Sequence, residues 1–377
     1  MTSGTYESDV NGSICFRPRV PRLPRLEDVQ DVLEGAVRSI HELDRRLSEW
    51  PRDGAIGRLF ARLDAVHSSG AEGSTTTFTD LMEFETSARV APDLDDAASV
   101  AACAAALETD GDLAAMTLAI HRRLFERSRN LMLATSAGQW KQRANATADA
   151  DSAGGYFYYT KPVSVDAAMN EWRDFTLASD PRVPEIIRQI ASHWMFEHIH
   201  PVSDGNGRIG RLLVPLTLKM KGATKAACAF FGEAVHEDKQ LYVEGLKSAR
   251  VSGDWTSWTR LMLVFLSRTA NRNIERIGML ADLEQEWRRV TSGLRSDSQV
   301  HKLTQFALTH PVFTVTDAVG QIGGTFASIN TAVNHLVKAG ILTAPANTKR
   351  DRIFHAHAVL SLFDRFKAQP SPKVGSR

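Results

Sequence analysis

The chain has 377 residues, 43% of them hydrophobic, which is enough to bury the cores of two or three domains. Its 45 basic and 44 acidic residues nearly cancel, so no overall field draws it towards nucleic acid or an anionic membrane. Three widely spaced cysteines fit a reduced compartment better than a disulfide framework. Because we find neither a signal peptide pattern nor a long apolar run, we expect a cytoplasmic protein without membrane spans.

The N-terminal third is mainly helical by its pattern. Residues 1–25 are polar and then rich in arginine and proline, which favours neither helix nor strand and predicts a flexible segment. From about Leu26 to Phe84, apolar residues recur at helical spacing and predict two helices. Between about Leu94 and Phe125, alanine-rich sequence predicts further helix.

The middle of the chain contains one interruption in a helical pattern. Residues 134–165 are rich in glycine and polar residues but include the aromatic run Tyr156 to Tyr159, so they predict a short hairpin or a loop. Helical periodicity returns at Val183, stops at His200 and resumes near Arg208.

A cluster of reactive groups occupies this interruption, in the sequence HPVSDGNGRIGR from His200 to Arg211. Gly205 and Gly207 allow a tight turn whose backbone N–H groups can cradle an anion at the start of the next helix. Arg208 and Arg211 are three residues apart, so they share a helix face and can grip a polyphosphate at two points.

Two further side chains of the segment suggest its chemistry. Asp204 offers a hard oxygen ligand of the kind that Mg²⁺ takes beside substrate phosphates. His200, with an ordinary pKa of about 6.5, can take a proton from an attacking hydroxyl near neutral pH. Each residue alone is explained as well by a helix-capping turn. Together they indicate a site for a magnesium-bound nucleotide.

This segment resembles the signature of the Fic family, in which a histidine, an acidic residue, Gly-Asn-Gly-Arg and a second arginine stand at fixed steps. The resemblance covers roughly Ser68 to Phe265. One departure is Val202, where the family usually has a buried phenylalanine. Further matching residues lie on both sides of the loop: His193, Glu197, Tyr242, Leu246, Arg250 and Trp255.

The resemblance implies a role for each residue of the segment. His200 would be the general base, and Asp204 the ligand of Mg²⁺ or Mn²⁺. Arg211 would meet the γ-phosphate of ATP. Tyr242 would lie near the adenine, although a partly buried structural tyrosine fits that position as well. The α- and β-phosphates would be held by four consecutive residues, Gly205, Asn206, Gly207 and Arg208.

A second, upstream segment resembles the inhibitory helix of the family. Ser68, Glu72 and Gly73 match its pattern of a serine or threonine four residues before a glutamate that is followed by glycine or asparagine. Locally, the same residues indicate only a helix end with Gly73 at the left-handed cap position. The resemblance implies that Glu72 pairs with Arg211 and takes the space of the γ-phosphate.

The segment from Phe313 to Phe354 looks like a winged helix, with two helices, the second from about Thr325 to Ala339, and then a basic stretch at residues 349–352. The second helix has few basic residues, which weighs against contacts to a phosphate backbone. DNA binding stays open but is less favoured than a module that docks a target or forms a dimer.

The expected fold is therefore mainly helical, with a Fic core, a small β-hairpin flap and a C-terminal winged helix. The domain boundaries that we predict are a flexible segment at 1–25, a helical region with the inhibitory helix at 26–95, the Fic core at 96–270, a connecting helix and linker at 271–299, the winged-helix-like domain at 300–366 and a tail at 367–377.

The implied activity is transfer of AMP from ATP to a Ser, Thr or Tyr hydroxyl of an unknown target protein and of the enzyme itself, with autoinhibition by Glu72. Family members often dimerise, so a homodimer is expected by analogy alone. Two alternatives stay open. One is a Fic-fold enzyme that removes AMP or transfers phosphate or phosphocholine, and the other is a nucleotide-sensing, DNA-binding regulator.

Overall fold

The computed structural model describes residues 3–50, 54–87, 95–106, 111–295, 298–344 and 352–364. The chain divides into two compact units, one made of Met1–Thr75 and Ala98–Asn271, the other of Thr76–Ala97 and Arg272–Arg377. The predicted tail at 367–377 and most of the basic stretch at 349–352 lie outside the described residues. Within those residues, no helix is both long enough and apolar enough to cross a bilayer.

An antiparallel hairpin opens the first unit, with strands β1 (Gly4–Ser8) and β2 (Ile14–Pro18). The composition-based prediction that residues 1–25 form neither helix nor strand is therefore wrong for this stretch. Its cause is tertiary burial: Phe16 is 2% exposed and packs against Phe157 and Trp194, so contacts far along the chain override local preference.

Helices follow up to the centre of the chain. They are α1 (Gln30–Glu49), α2 (Ala55–Gly70), α3 (Phe78–Ser87), α4 (Asp95–Ala105) and α5 (Leu113–Phe125). The two helices predicted before Phe84 correspond to α1 and α2, and α3 is an additional helix that belongs to the second unit. Asp112 caps α5 by accepting hydrogen bonds from the backbone N–H groups of Ala114 and Ala115.

A short helix α6 (Leu131–Ser136) leads to a hairpin of β3 (Ala146–Ala148) and β4 (Tyr156–Tyr158). We call this hairpin the flap. It confirms the hairpin alternative for residues 134–165. Strand β4 also pairs in parallel with β2, which gives a four-stranded sheet in the order β1-β2-β4-β3 with the exposed strand β3 at its edge.

The core of the first unit surrounds helix α8 (Glu185–Ile199), which is buried on all sides. Helices α7 (Val165–Leu177) and α9 (Asn206–Met220) pack against it. Pro215 lies inside α9, which continues through it as one helix. The unit is completed by α10 (Gly232–Glu237), α11 (Lys239–Val251) and the first part of α12 (Trp255–Val290).

The second unit contains α3, the rest of α12 and a set of short elements. These are α13 (Gln299–Thr309), β5 (Val312–Thr314), α14 (Val315–Ile322), α15 (Phe326–Lys338), β6 (Ile353–His355) and α16 (His357–Asp364). Strands β5 and β6 pair antiparallel, and capping boxes at Thr314 and Thr325 start α14 and α15. The fold class is mainly helical as predicted, while the assignment of this unit as a winged helix stays a prediction.

Candidate active site

A cavity of about 870 Å³ lies in the first unit where α8 and α9 meet, bordered by the flap and α11. Its size is that of a typical small-molecule site. Eight of the predicted site residues line it: Glu72, His200, Asp204, Gly205, Asn206, Gly207, Arg211 and Tyr242. The structure thus brings the sequence-predicted loop and the upstream Glu72 to one place.

His200 directly follows the last residue of α8 in a left-handed conformation. Its φ of +52° is the only positive value at a non-glycine position among the described residues. Its Nδ1 lies 3.1 Å from the carbonyl oxygen of Glu197. Since a carbonyl oxygen only accepts hydrogen bonds, Nδ1 carries the proton and Nε2 of the neutral ring is left as the acceptor. The imidazole stacks on Tyr159, with ring centroids 3.9 Å apart.

The surroundings of His200 keep its imidazole neutral. Burial lowers its pKa to about 3, and the positive charge of Lys141 acts in the same direction. The hydrogen bond to Glu197 and the charge of Glu72 oppose this shift. A neutral imidazole can accept a proton at physiological pH. An anion bound in the same cavity would raise the pKa towards the range of an effective base, because negative charge favours the imidazolium.

The loop between α8 and α9 is shaped by its glycines and by Asn206. Gly205 has a φ of +78°, and a Cβ there would meet the ring of Phe125 at 2.9 Å. The Asn206 side chain accepts a hydrogen bond from the backbone N–H of Val202 and donates one to its carbonyl oxygen. Asn206 therefore fixes the loop with its amide. Asp204 is exposed at the cavity, where its carboxylate accepts from the Gly205 N–H at 2.6 Å.

Arg208 does not line the cavity in this structure. Its Nη1 donates to the hydroxyl of Ser99 on α4 at 2.6 Å, and its guanidinium lies over the ring of Phe125. The predicted pairing of Arg208 and Arg211 around one polyphosphate is therefore not assembled here. Ser99 was missed by sequence reasoning, because a single serine in an alanine-rich helix carries no distinguishing signal.

Arg211 is buried, 2% exposed, and is bound by the segment at the end of α2. Its Nη2 lies 2.6 Å from the Glu72 carboxylate, and its Nε and Nη2 donate to the hydroxyl and carbonyl oxygens of Ser68. Burial is the largest single influence and works to raise the pKa of Glu72, but the charge and hydrogen bond of Arg211, together with the charges of Lys239 and Arg208, lower the pKa on balance. Gly73 has a φ of +102°, the left-handed conformation predicted for it. The Glu72 side chain remains 42% exposed, so the pair is shielded on the arginine side only.

Three buried polar side chains, His193, Glu197 and Tyr242, lie close to Arg211. The Tyr242 hydroxyl is 2.8 Å from Nε2 of His193, and both residues are buried. Glu197 lines the cavity, and burial raises its pKa to about 7. Desolvation also lowers the pKa of His193 to about 3. His193 is therefore uncharged near neutral pH, whereas Glu197 changes its charge in that range.

The flap is attached to α11 mainly through the carboxylate of Asp149. Asp149 accepts hydrogen bonds from Lys247 at 2.6 Å and from Arg250 at 2.8 Å. The Arg250 guanidinium also lies 3.5 Å from the ring centre of Phe157 in β4. The predicted aromatic run thus has two parts, since Phe157 is packed inside while Tyr156 is exposed.

The comparisons with known proteins agree on one family. The sequence model of the Fic/DOC family matches residues 113–218, from the start of α5 to near the end of α9. Residues 113–218 therefore match a Fic domain, and the Fic/DOC family is the one that this part of the chain resembles. The chain is also 32% identical over 115 residues to the protein adenylyltransferase Fic of Nematostella vectensis, which is 30% of this chain and 24% of that protein. It thus spans about a quarter of the length of this relative.

Comparison with solved structures bears on the fold. A Fic family protein from Desulfovibrio desulfuricans G20 superposes with a TM-score of 0.57 at 17% identity, over 89% of this chain and 98% of that one, and at this identity the likeness concerns the fold alone. A fragment of Fic-1 from C. elegans gives a TM-score of 0.47 at 21% identity, over 66% of this chain and 74% of that fragment.

Proposed function

We propose that the chain is a protein adenylyltransferase, which transfers AMP from ATP to a hydroxyl of a target protein and of itself. The observation that carries this proposal is that one cavity collects a neutral histidine, an exposed carboxylate, a glycine turn at a helix start and a buried arginine. The adenylyltransferase of Nematostella vectensis that matches part of the chain supports it. A nucleotide is the ligand that uses all four groups.

The start of α9 is suited to the phosphates. Its first N–H groups have no partner within the helix, and the positive end of the helix dipole favours an anion there. Gly207 leaves room beside Arg211 for an oxygen, since a Cβ at this position would collide with the Glu72 carboxylate. We expect the α- and β-phosphates at Gly205 to Gly207, with Arg208 turning in from Ser99, and the γ-phosphate at Arg211.

The chemical step needs a base and an in-line attack. The hydroxyl oxygen of the target bonds to the α-phosphorus, the bond from that phosphorus to the bridging oxygen of the β-phosphate breaks, and pyrophosphate leaves with the electron pair. The hydroxyl proton passes to Nε2 of His200, the nitrogen that its Nδ1–H contact leaves as the acceptor. The stacked ring of Tyr159 limits the tilt of the imidazole.

A divalent cation fits the donors present at the cavity. Within the described residues there is no cluster of three or more His, Cys, Asp or Glu side chains able to bind a metal. Magnesium commonly needs only one or two protein carboxylates when phosphates complete its coordination shell. Asp204 is an exposed carboxylate beside the glycine turn at the start of α9. Mg²⁺ or Mn²⁺ held there would neutralise charge on the departing pyrophosphate.

Glu72 is proposed to keep the resting enzyme nearly silent. Its carboxylate lies 2.6 Å from the guanidinium that would otherwise bind the γ-phosphate. Because the carboxylate is 42% exposed and therefore partly screened by solvent, the contact contributes about 1 to 2 kcal/mol, so its loss should raise the rate about five- to thirty-fold. ATP would still enter the cavity while Glu72 is in place, but its γ-phosphate would lack Arg211.

The test compares the wild-type protein, Glu72→Gly and Glu72→Gly/His200→Ala, each incubated with Mg²⁺ and ATP labelled at the α-phosphate. Self-modification is measured as covalent label after the proteins are separated. We expect weak label on the wild type, strong label on Glu72→Gly and none on the double variant. If none is labelled although ATP binds, AMP transfer is excluded, and repetition with γ-labelled ATP and with DNA separates another transfer reaction from a nucleotide-sensing regulator.

A further inference from the structure

The left-handed backbone of His200 needs support from its neighbours. Side chains with a Cβ rarely adopt this conformation, and they persist in it only where the surrounding structure fixes it. One support lies within the loop, where Asn206 holds Val202. The other comes from a segment more than fifty residues upstream, between α6 and the flap, which sequence reasoning did not single out.

Lys141 in that segment reaches the backbone on both sides of His200. Its side-chain ammonium donates to the carbonyl oxygen of Ile199 at 3.2 Å, and its backbone N–H donates to the carbonyl oxygen of Pro201 at 2.9 Å. The residue is 3% exposed, which is rare for a lysine. A buried ammonium is costly unless acceptors surround it, so its position is specified by these contacts.

Asn145 completes the same arrangement. Its side-chain oxygen accepts from the Lys141 ammonium at 2.7 Å, and its side-chain nitrogen donates to the carbonyl oxygen of Val202 at 3.0 Å. Lys141 and Asn145 together therefore engage the carbonyl groups of three residues around His200, namely Ile199, Pro201 and Val202. These contacts leave the loop little freedom to rotate the backbone of His200.

We propose that Lys141 and Asn145 are positioning residues that fix the backbone of His200 and thereby aim its imidazole at the target hydroxyl. Neither side chain needs to touch the substrate, since both act through the loop. The part of this proposal that concerns catalysis rests on the proposed AMP transfer, whereas the support of His200 does not.

The charge of Lys141 gives the arrangement a measurable signature. Lys141 is among the causes that lower the pKa of His200, after burial itself. The other charged or titratable groups at His200 are Glu72, whose charge raises its pKa, the neighbouring His198, and Tyr159, whose ring stacks on the imidazole. Lys141 in turn faces the Cys15 thiol, and burial lowers the pKa of Lys141 to about 7. Below that pH its ammonium is charged and disfavours protonation of His200.

The experiment uses the full chain in the Glu72→Gly background, with Lys141→Met, Asn145→Ala and, as a matched control, Gln142→Ala. Gln142 lies in the same segment, is exposed, and bonds only to the carbonyl oxygen of Trp140 among the contacts described for it. We expect kcat for self-labelling to fall about ten-fold or more in both test variants, with KM for ATP unchanged, because misaimed catalytic groups cost rate rather than binding. Gln142→Ala should keep the parent rate.

A second measurement does not depend on activity. The pKa of His200 is followed by NMR of histidine-labelled protein, with the His200 signal assigned by its loss in His200→Ala. Lys141→Met should raise this pKa, and Asn145→Ala, which keeps the charge, should leave it nearly unchanged. A higher pKa of His200 would not by itself slow proton removal at neutral pH. A fall in kcat in both Lys141→Met and Asn145→Ala therefore reports the loss of the contacts that fix the backbone of His200.

Parent-level kcat in Lys141→Met and Asn145→Ala, or a defect confined to KM for ATP, would overturn the proposal. An unchanged His200 pKa in Lys141→Met would also overturn it, since the ammonium could then not lie where the contacts place it. Absence of label in the Glu72→Gly parent would contradict the proposed AMP transfer instead, and the NMR titration would still decide whether Lys141 supports His200.

Discussion

At the residue scale, Ser68 contributes to stability because the buried guanidinium of Arg211 has few hydrogen-bond acceptors around it. The Ser68 hydroxyl accepts from Nε at 2.7 Å. Ser68→Ala leaves that donor without a partner and should lower the free energy of unfolding by about 1 to 3 kcal/mol. Urea denaturation of the wild type and the variant measures the loss.

The matched control for Ser68 is its neighbour Ser69, which is equally buried but whose hydroxyl faces the Cys103 thiol. Ser69→Ala should cost less, since no charged donor is left unsatisfied. Equal losses in the two variants would mean that the contact of Ser68 with Arg211 contributes nothing particular.

Glu197 should make the stability of the protein depend on pH. Its pKa in the folded protein is raised to about 7 by burial. A raised pKa means that its stabilising contribution is complete below the ordinary pKa of the carboxyl group and is lost as the pH rises through about 7. Glu197→Gln removes this loss, so the variant should gain stability relative to the wild type between pH 5 and pH 8, on the order of 1 to 3 kcal/mol.

The difference in stability between the wild type and Glu197→Gln is measured from their urea midpoints at pH 5 and at pH 8. Glu49→Gln, which changes an exposed glutamate, is the control. Asp64, whose pKa is also raised to about 7 by burial, remains in both proteins and cancels in the comparison. A gain of the same size at pH 5 and pH 8 would contradict the assignment to ionisation of Glu197.

The sequence predicted the location of the candidate site better than the residues that support it. The residues from His200 to Arg211 form a contiguous string, so their proximity follows from the chain itself. The contact of Glu72 with Arg211, 139 positions apart, was expected only through family resemblance. Lys141 looks like a surface lysine in a polar segment, and nothing local indicates that it is buried. Side chains that act through tertiary contacts leave no spacing pattern to detect.

At the scale of secondary-structure elements, the rigidity of the flap depends on its attachment to α11. Asp149→Ala removes the partner shared by Lys247 and the buried Arg250. The amides of residues 146–158 should then exchange with solvent deuterium faster, on the order of ten-fold, because the hairpin has lost a fixed contact. Hydrogen exchange read by mass spectrometry measures this.

Asp151→Ala is the control for the flap, since Asp151 also contacts Lys247 but is 80% exposed, and exposed pairs are worth little. Its exchange should stay close to that of the wild type. Similar acceleration in both variants would show that general loosening of the loop, and not the contact of Asp149 with Arg250, controls the hairpin.

Periodicity predicted the long elements and failed for the short ones. The pattern up to Ile199 and from Arg208 gave α8 and α9 close to their observed bounds. The strands β1 and β2 were missed, because arginine and proline around position 20 hid a five-residue strand whose Phe16 finds its partners beyond residue 150. Short strands are stabilised by side chains that pack on them from distant parts of the chain, and a few neighbouring residues of sequence do not reveal those partners.

At the scale of the whole molecule, the four-stranded sheet joins parts of the chain that are distant in sequence. Phe16 contributes the buried ring at its centre, against Phe157, Trp194 and His198. Phe16→Ala should lower the free energy of unfolding by about 3 to 5 kcal/mol, the usual cost of emptying an aromatic core position. Tyr6, which touches Phe16 but is 60% exposed, is the control and should cost less than about 1 kcal/mol when changed to alanine.

Denaturation curves for Phe16→Ala and Tyr6→Ala test this directly. If Phe16→Ala unfolds at the wild-type midpoint, the N-terminal hairpin is not part of the cooperative core, and the strand pairing of β2 with β4 carries little energy.

The first 75 residues contribute to the cavity in two ways, because β2 pairs with strand β4 of the flap and Glu72 contacts Arg211 in the cavity itself. If the proposed function holds, recombination that exchanged this segment between related genes would change the support of the flap and the contact of Glu72 with Arg211 in a single event. Target preference and resting activity would then be genetically linked by the fold.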